Sequence, residues 1–438
     1  MFVDINFTCV ILHEFNIHAA LKNKKALYLL LSANAVSHFA QGISMLAIPW
    51  YFAKYLNAAS TFASIYAIAT FLSLFWGLYA GTLIDRFPRK NIFLSICVVS
   101  AIVLLSISSI GFINNEIPMF LVAFVFCFTL FNYNIHYPTL YAFGQEITEK
   151  RNYSKTNSLL EVMGQSVNVL SGAIAIMLIE GMNFNIAGIQ VEIIPWKIHE
   201  IFLMDGITYL IAMTLIYFIR YEPTTKLEIS KEKISTRLKE GILYLKNRRL
   251  LFLFGNASYT VFIFTLISTH LLWPIYVENH LDAGADTYAI TKVCYAIGAM
   301  LSGFFISIIF RKTNLVFSII VLMLIGLSSL LIFASTQSVY LLFSFALGLG
   351  IANAGIRIQR ITYLFNHIPN NIIGRANSVF QSINILLRSI FIGLFSLAFF
   401  SKDSNITWAF YLGAFAVVIS LVPLLWNYKE LRNMKAEE

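Results

Sequence analysis

The residues of this sequence that could do chemistry are polar side chains set at helical intervals within long apolar segments. Steps of three and four residues keep such groups on one helix face, where they could line a path for a small molecule. The predicted path residues are His38, Gln41, Asn132, His136, Gln165, Asn168, Asn353, Arg357, Gln381, Asn384 and Arg388. The alternative is that these groups only form hydrogen bonds between neighbouring helices.

Two carboxyl groups lie within the apolar segments and could carry a proton. Glu161 and Asp205 each lie a short distance inside a predicted membrane-spanning helix. A carboxyl group in a cavity of low dielectric constant can bind and release a proton near neutral pH. We therefore predict that these two groups couple transport to protons. The alternatives are an ion pair between Glu161 and Lys155, and a helix-start interaction for Asp205.

A third candidate is Arg388, which lies near the middle of a predicted spanning helix. A cation at that depth costs about 2.5–3.5 kcal/mol on insertion scales, so another group must compensate for it. The predicted partner is an anionic or carboxylate-bearing substrate, with Gln381 and Asn384 beside it. The alternative is a bond from Arg388 to Glu161, or to a backbone carbonyl, that only fixes packing.

The composition excludes a soluble globular protein. Of the 438 residues, 58% are hydrophobic and 12% are charged, whereas soluble domains carry about 25% charged residues. The sequence contains no zinc-protease, nucleophile-elbow or nucleotide-binding glycine motif, so we expect neither an enzyme nor a bound metal or cofactor. The four cysteines form no metal-binding pair.

Twelve apolar segments approach the length of about 20 residues that a helix needs to cross a bilayer. They lie near 26–53, 58–83, 92–113, 118–143, 156–181, 200–219, 250–277, 286–310, 315–334, 338–364, 375–400 and 406–426. We predict an all-α membrane protein with two six-helix halves, 26–219 and 250–426. The linker 220–249 should contain an amphipathic helix, and short tails cover 1–25 and 427–438.

Lysine and arginine predict the orientation of these helices. With the N-terminus inside, 24 of the 31 Lys and Arg residues lie on the cytoplasmic side and 3 lie outside, as the positive-inside rule requires. We expect a multi-pass protein of the bacterial inner membrane with both termini in the cytoplasm. This pattern also explains the net charge of +9 without nucleic-acid binding. Residues 1–25 lack the order of a signal peptide, so we expect a cytoplasmic tail or a mis-assigned start codon.

The two halves share matching segments, as an internal repeat would. Residues 157–161 (NSLLE) align with residues 377–381 (NSVFQ) at an offset of 220. Two parallel six-helix repeats are typical of secondary transporters, whose binding site lies between the repeats near the bilayer midplane. A non-transporting membrane sensor is the alternative of another class, but it would be expected to carry a soluble output domain.

The segment Gly81–Lys90, GTLIDRFPRK, resembles the signature loop of the major facilitator superfamily. It lies between the second and third spans, and Pro88 stands where the family has a second glycine. The resemblance implies a transporter that works by alternating access. It also implies a gating loop in which the aspartate latches the two halves in one state. The loop residues concerned are Gly81, Asp85, Arg86, Arg89 and Lys90.

Three further segments, at 138–157, 204–209 and 238–245, resemble a branch that includes macrolide efflux proteins and enterobactin-type siderophore exporters. That resemblance implies export of a small drug- or siderophore-like compound, and we expect proton antiport to drive it. We expect a monomer whose partners are the substrate, the proton and the lipid bilayer. The alternative within the same fold is an uptake permease for a small metabolite, which could be an anion.

Overall fold

The computed structural model describes residues 23–148, 153–186, 189–221, 234–310, 313–369 and 372–434. The helices of the first half, which we call the N half, are α1 (Lys24–Trp50), α2 (Ala59–Arg86), α3 (Arg89–Asn114), α4 (Met119–Ile147), α5 (Tyr153–Glu180) and α6 (Ile198–Tyr217). Helix α7 (Ile234–Asn247) follows. The C half contains α8 (Arg249–Ile267), α9 (Trp273–Asn279), α10 (Ala285–Ile309), α11 (Leu315–Ser335), α12 (Val339–His367), α13 (Ile373–Phe395) and α14 (Thr407–Trp426), before a short α15 (Tyr428–Asn433).

These elements confirm the helical membrane fold predicted from the sequence. Within the described residues, eleven helical segments are long and apolar enough to cross a membrane, with α8 and α9 joined as Arg249–Asn279. Helix α1 is a twelfth long helix, and its polar residues Asn34, His38 and Gln41 make it less apolar than the others. Helices suit this solvent because each satisfies its own backbone hydrogen bonds.

Successive long helices run in alternate directions, so the bundle has two faces. We call the face at which α1 begins and α14 ends the terminal face, and the opposite face the loop face. Asn23, before α1, donates a hydrogen bond to the carbonyl of Ile147 at the end of α4 (3.1 Å). Tyr363, near the end of α12, donates to the carbonyl of Leu431 beyond α14 (2.8 Å). Both contacts lie at the terminal face.

The two halves repeat one packing pattern. In the N half α1 packs on α5 and α6, α2 on α4, and α3 on α6. In the C half α8 packs on α13 and α14, α10 on α12, and α11 on α14, which are the equivalent pairs. Between the halves α2 packs on α13 and α5 on α10, again an equivalent pair. The packing therefore contains the internal repeat that the sequence predicts.

A π-helical turn modifies the first helix of each half. Tyr51–Tyr55 extends α1, and Ser268–Leu272 joins α8 to α9. Such turns are rare and occur often at functional sites, because their extra residue redirects the side chains that follow. The turn in the C half carries His270, which lies at the centre of the candidate site.

The connection between α5 and α6 contains a short β-hairpin that was not predicted from the sequence. Strands β1 (Met182–Ile186) and β2 (Ile189–Ile193) pair antiparallel. Residues 189–193 (IQVEI) alternate apolar and polar types, which is the period of a strand. Gly181 turns the chain from α5 into β1 with φ +72°, a conformation that glycine adopts easily.

Helix α7 packs against the terminal-face end of α13. Gly241 allows the backbone of α7 to approach the carbonyl group of Arg375, and Glu240 forms an ion pair with the same arginine. Leu245 is buried, whereas Ile242 and Leu243 are 55% and 59% exposed. An exposed apolar side on a charged helix is typical of a helix that lies in the membrane interface.

Candidate functional site

A polar stripe on α1 connects the helices of the N half. His136 of α4 donates a hydrogen bond from Nε2 to the Oδ1 atom of Asn34 (2.9 Å). One turn farther along α1, His38 donates from Nε2 to the Oδ1 atom of Asn168 on α5 (3.0 Å). Because an amide oxygen only accepts, both histidines carry a proton on Nε2.

The same stripe continues to α6 and ends at a carboxyl group. Gln41 donates to the hydroxyl of Tyr209 (2.8 Å), and Ser44 donates to the Oδ2 atom of Asp205 (2.7 Å). Asp205 is 1% exposed, and its Oδ1 atom has no hydrogen-bond partner among the described residues. A buried oxygen without a partner is costly, which makes this carboxyl group the prime candidate for proton chemistry in the N half.

Four predicted path residues of the N half form this network instead of an open wall. His38, Gln41, Asn132 and His136 are all buried, and Asn132 donates to the hydroxyl of Ser100 on α3 (3.0 Å). These bonds join α1 to α4, α5 and α6, and α3 to α4. Hydrogen bonding between helices is the alternative role given for these residues in the sequence analysis.

In the C half, two predicted amides bond to tyrosines. Asn353 on α12 donates to the hydroxyl of Tyr295 on α10 (2.8 Å), and Gln381 on α13 donates to the hydroxyl of Tyr259 on α8 (3.4 Å). Asn353 is buried, whereas Gln381 is exposed. Gln381 therefore faces solvent while remaining tied to α8.

Arg360 is a buried cation whose charge is compensated within the C half. Its guanidinium group donates to the carbonyl oxygen of Ser258 (3.0 Å) and lies 3.5 Å from the ring centroid of Tyr259. A carbonyl oxygen and an aromatic face both stabilise a cation without a carboxylate. Arg360 therefore has a structural role in joining α12 to α8.

Three other basic side chains, His270, Lys292 and Arg388, converge where the two halves meet, and we call them the basic cluster. The positive charges of Lys292 and Arg388 both interact electrostatically with the imidazole ring of His270. Arg388 also acts on Tyr66 of α2, whose ring is edge-on to His270 with centroids 6.2 Å apart. The Lys292 ammonium nitrogen lies 5.3 Å from the ring centroid of Tyr288. All three basic residues are partly exposed despite their depth in the bundle, so they face an internal space.

Contacts between the halves close the loop face. The ammonium group of Lys54, just beyond α1, lies 2.9 Å from the carboxylate of Glu278 in α9. The hydrogen bond to Glu278 raises the pKa of Lys54 above its usual value. At the same face, Glu180 of α5 accepts a hydrogen bond from the backbone N–H of Ala285 in α10 (2.6 Å).

The second pair of contacting helices, α2 and α13, is also tied at the loop face. Ser60 at the start of α2 donates to the carbonyl of Ser396, just beyond α13. One to two turns deeper, a Cβ atom at Gly393 would lie 3.9 Å from the Cβ atom of Ala67. Both interhalf helix pairs therefore meet near this face.

Farther from the loop face, glycines on the helices of one such pair have no close neighbours. On α5, a Cβ atom at Gly172 would touch Val293 of α10, whereas at Gly164 it would meet no atom within 4 Å. Gly303, farther along α10, also has open space around it. Among the described residues, the contacts between the halves named above all lie in the loop-face half of the bundle.

Several predicted path residues have side chains that are not buried. They are Gln165, Asn168, Arg357, Gln381 and Arg388 on α5, α12 and α13, and their place along a substrate path remains a prediction.

Asn384 lies one turn from Arg388 and is 2% exposed. Its Nδ2 atom has no partner among the described residues. The predicted path residues thus include a buried, hydrogen-bonded group in the N half, two buried amides in the C half and a group with partly or fully exposed side chains.

The predicted gating loop is described in part. Arg89 lies 3.8 Å from the carboxylate of Glu146 at the end of α4, and Tyr221 donates to the same carboxylate (3.0 Å). Burial and the Glu146 carboxylate raise the pKa of Tyr221. Lys90 donates to the carbonyls of Tyr217 and Ile219 at the end of α6, a favourable place for a cation. These contacts lie within the N half.

Four predicted residues lie outside the described side chains. They are Gly81, Asp85 and Arg86 of the gating loop and Glu161 of α5. The proposed latch through Asp85 and the proton role of Glu161 remain predictions.

The sequence reasoning missed two members of the basic cluster. It did not single out His270 or Lys292 as site residues. The usable signal was that Lys292, like Arg388, is a cation within a span that has no carboxylate at helical spacing. Among the described residues, no group of three His, Cys, Asp or Glu side chains could hold a metal.

The described long helices form two repeats that carry polar side chains, an arrangement typical of membrane transporters that work by alternating access. The sequence matches the family model of the Major Facilitator Superfamily over residues 30–392. The chain belongs to that superfamily.

Curated and solved relatives are consistent with this family. Macrolide efflux protein A of Streptococcus pyogenes is 20% identical over 420 residues, covering 94% of this chain and 98% of that protein. A mutant of the nucleoside transporter NupG has a TM-score of 0.72 at 10% identity, covering 92% of this chain and 99% of the other. An inward-facing, unoccupied bacterial homolog of the human lysosomal transporter Spinster has a TM-score of 0.68 at 12% identity, covering 94% and 99%. At these identities the two structures show a shared fold.

The Lys54–Glu278 pair leads to a prediction about the loop face. Replacing Lys54 by Gln should increase the fraction of molecules with an open loop face by up to about 5-fold, because a partly exposed ion pair contributes up to about 1 kcal/mol. The distance between spin labels at Glu116 and Asp403 would report the change. Lys402→Gln removes an exposed cation near the same face and serves as the control. An unchanged distance distribution in Lys54→Gln would show that the pair does not hold the face closed.

Proposed function

We propose that this protein exports a small drug- or siderophore-like organic compound in exchange for protons. The arrangement of the halves carries the proposal: their described contacts lie near the loop face, and exposed polar side chains lie on the helices beyond those contacts. Rocking of two repeats about a central site is the motion of alternating access. The positive-inside charge pattern supports a cytoplasmic terminal face in a bacterial inner membrane. The conformation described here would then load substrate from the cytoplasm.

Similarity to macrolide efflux protein A along nearly the whole chain supports export. Uptake remains the second candidate, since the fold is shared with the nucleoside transporter NupG. A loading site that faces the cytoplasm suits an exporter in its resting state, but an uptake permease also passes through this conformation. The direction therefore has to be measured.

Asp205 is the proposed proton-carrying group. It lies at the end of a chain of hydrogen-bonded pairs that follows α1, from Ser44 through Gln41 to His38. The Asn168 partner of His38 lies on α5, which borders the space between the halves. A change in the charge of Asp205 would alter its hydrogen bond to Ser44, which joins α6 to α1. The neighbouring pairs extend this connection to the His38–Asn168 bond, which joins α1 to α5. This connection supports coupling between protonation and the position of the helices.

Everted membrane vesicles test the exchange directly. Vesicles containing the protein are acidified inside by respiration, and drug- and siderophore-like compounds are added outside. An exporter that exchanges substrate for protons should release protons and collapse the pH gradient when its substrate is added. Vesicles without the protein are the control. If compounds enter the vesicles at the same rate after the gradient is abolished with an uncoupler, the proton-antiport proposal fails.

A further inference from the structure

We infer that the basic cluster binds an anionic group of the transported compound, which makes the substrate an organic anion. The inference rests on the proposed transport function and adds the charge of the substrate to it. The cluster combines His270, Lys292 and Arg388 from three different elements of the C half. Two of them, His270 and Arg388, lie beside Tyr66 of the N half.

The three side chains lie at a common depth between the halves. Lys292 and Arg388 each lie seven residues inside the loop-face end of their helix, about 10 Å from that end. Tyr288, whose ring lies beside Lys292, donates a hydrogen bond to the carbonyl of Thr269 (3.0 Å), the residue that precedes His270. The cluster therefore lies just inside the contacts that close the loop face.

No described carboxylate neutralises these cations. The groups that act on Lys292 and Arg388 include no acidic side chain. Glu180 and Glu278 are engaged in the loop-face contacts. Glu161 lies 19 residues from the loop-face end of α5, about 28 Å along the helix axis and far from the cluster.

Polar nitrogen atoms in and beside the cluster also lack partners. The Nε atom of Arg388, the Nδ1 atom of His270 and the Nδ2 atom of Asn384 are buried without a hydrogen-bond partner among the described residues. Burying cations without compensation is costly in a membrane protein. An oxyanion such as a carboxylate would accept bonds from the guanidinium and ammonium groups and supply the missing charge.

Arg360 shows how the same half compensates the charge of a structural arginine, although its Nε atom also lacks a hydrogen-bond partner. Its guanidinium group bonds to the Ser258 carbonyl and stacks on Tyr259, and the residue is 3% exposed. Arg388 has neither kind of contact and is partly exposed. The difference between these two arginines favours a ligand-binding role for Arg388 over a packing role.

Thermal stabilisation of the purified full-length protein tests the inference. The probes are aromatic carboxylates, benzoate and salicylate, each paired with its neutral amide of nearly the same shape, and chloride and sulfate as inorganic anions. We expect the carboxylates, and neither the amides nor the inorganic anions, to raise the melting temperature. Lys292→Gln and Arg388→Gln should each weaken carboxylate binding by about 10- to 100-fold. Lys402→Gln, an exposed cation outside the cluster, should leave it unchanged.

The ligand-free variants separate binding from packing. If the basic cluster binds a ligand, Arg388→Gln removes a cation that has no compensating group in the ligand-free protein. The melting temperature of the ligand-free variant should then be unchanged or higher. A lowered melting temperature together with unchanged carboxylate binding in Lys292→Gln would overturn the inference and assign a structural role. Equal stabilisation by acids and amides, or stabilisation by the inorganic anions alone, would also overturn it.

Failure of this inference and failure of the proposed function give different results. If the vesicles exchange protons only for neutral or cationic compounds, the transport proposal stands and the anion site is wrong. If carboxylates bind through Lys292 and Arg388 but no compound is exchanged for protons, the site stands and the exporter proposal is wrong.

Discussion

Asp205→Asn is expected to abolish proton-driven transport while leaving the protein able to exchange substrate across the membrane. The asparagine keeps the size of the side chain and can still accept the hydrogen bond from Ser44, which lies 2.7 Å away. The asparagine side chain cannot bind or release a proton, so the proton gradient can no longer drive substrate transport. Net export should fall at least about 100-fold, the scale expected when an essential proton-transfer group is lost.

The measurement compares two assays on the same proteoliposomes. Net substrate transport driven by a pH gradient should disappear. Exchange of labelled for unlabelled substrate, with the same pH on both sides of the membrane, should persist. Asp403→Asn is the matched control, because Asp403 is exposed at the loop face and has φ 46°, which asparagine accommodates. Gradient-driven transport that survives in Asp205→Asn would remove this residue from the coupling mechanism and leave Glu161 as the remaining predicted carboxylate.

Gly350→Ala is expected to have the largest effect on stability. Helices α10 and α12 cross closely at this point, where a Cβ atom on Gly350 would overlap the carbonyl oxygen of Tyr295 and lie 2.9 Å from the backbone nitrogen of Ala299. Gly298 makes the reciprocal approach to Leu347. Backbone atoms cannot move aside as a flexible side chain can, so the two helices must separate. We expect a loss of about 1–3 kcal/mol or more.

A glycine two residues away provides the control for this substitution. At Gly348 the nearest atom to an added Cβ is the hydroxyl of Ser329 at 3.4 Å. Gly348→Ala should therefore be neutral, or stabilising by up to about 1 kcal/mol through helix propensity. The melting temperatures of the two purified variants make the comparison. Equal values would contradict the close approach of α10 and α12.

Much of the fold could be predicted from the sequence because a membrane limits the choices. Apolar length fixes the helices, the charge bias predicts their orientation, and steps of three and four residues predict polar faces. The stripe Asn34, His38 and Gln41 is an example: its members do share a face of α1. Periodicity does not say what lies opposite that face, so the partners Asn168 and Tyr209 emerged only from the packing.

The basic cluster could not be predicted because its members are far apart in sequence. His270, Lys292 and Arg388 lie on three elements, and a π-helical turn that periodicity does not reveal sets the direction of His270. Arg388 could be singled out because a cation at mid-span is conspicuous. The hairpin β1–β2 was missed for a different reason: five-residue alternation is too short to distinguish a strand from a loop.

A reversible disulfide across the closed face tests alternating access most directly. Ala67 and Gly393 lie on α2 and α13 of opposite halves, and the Cβ atoms would be 3.9 Å apart, close to the ~3.8 Å found in disulfides. The two positions are replaced by cysteine in a protein whose four native cysteines are replaced by alanine. Each single-cysteine protein is a control. Transport is measured before oxidation, after oxidation and after reduction. We predict that the bond forms, that transport stops while the bond is present, and that reduction restores transport. Transport at the full rate in completely cross-linked protein would contradict the account.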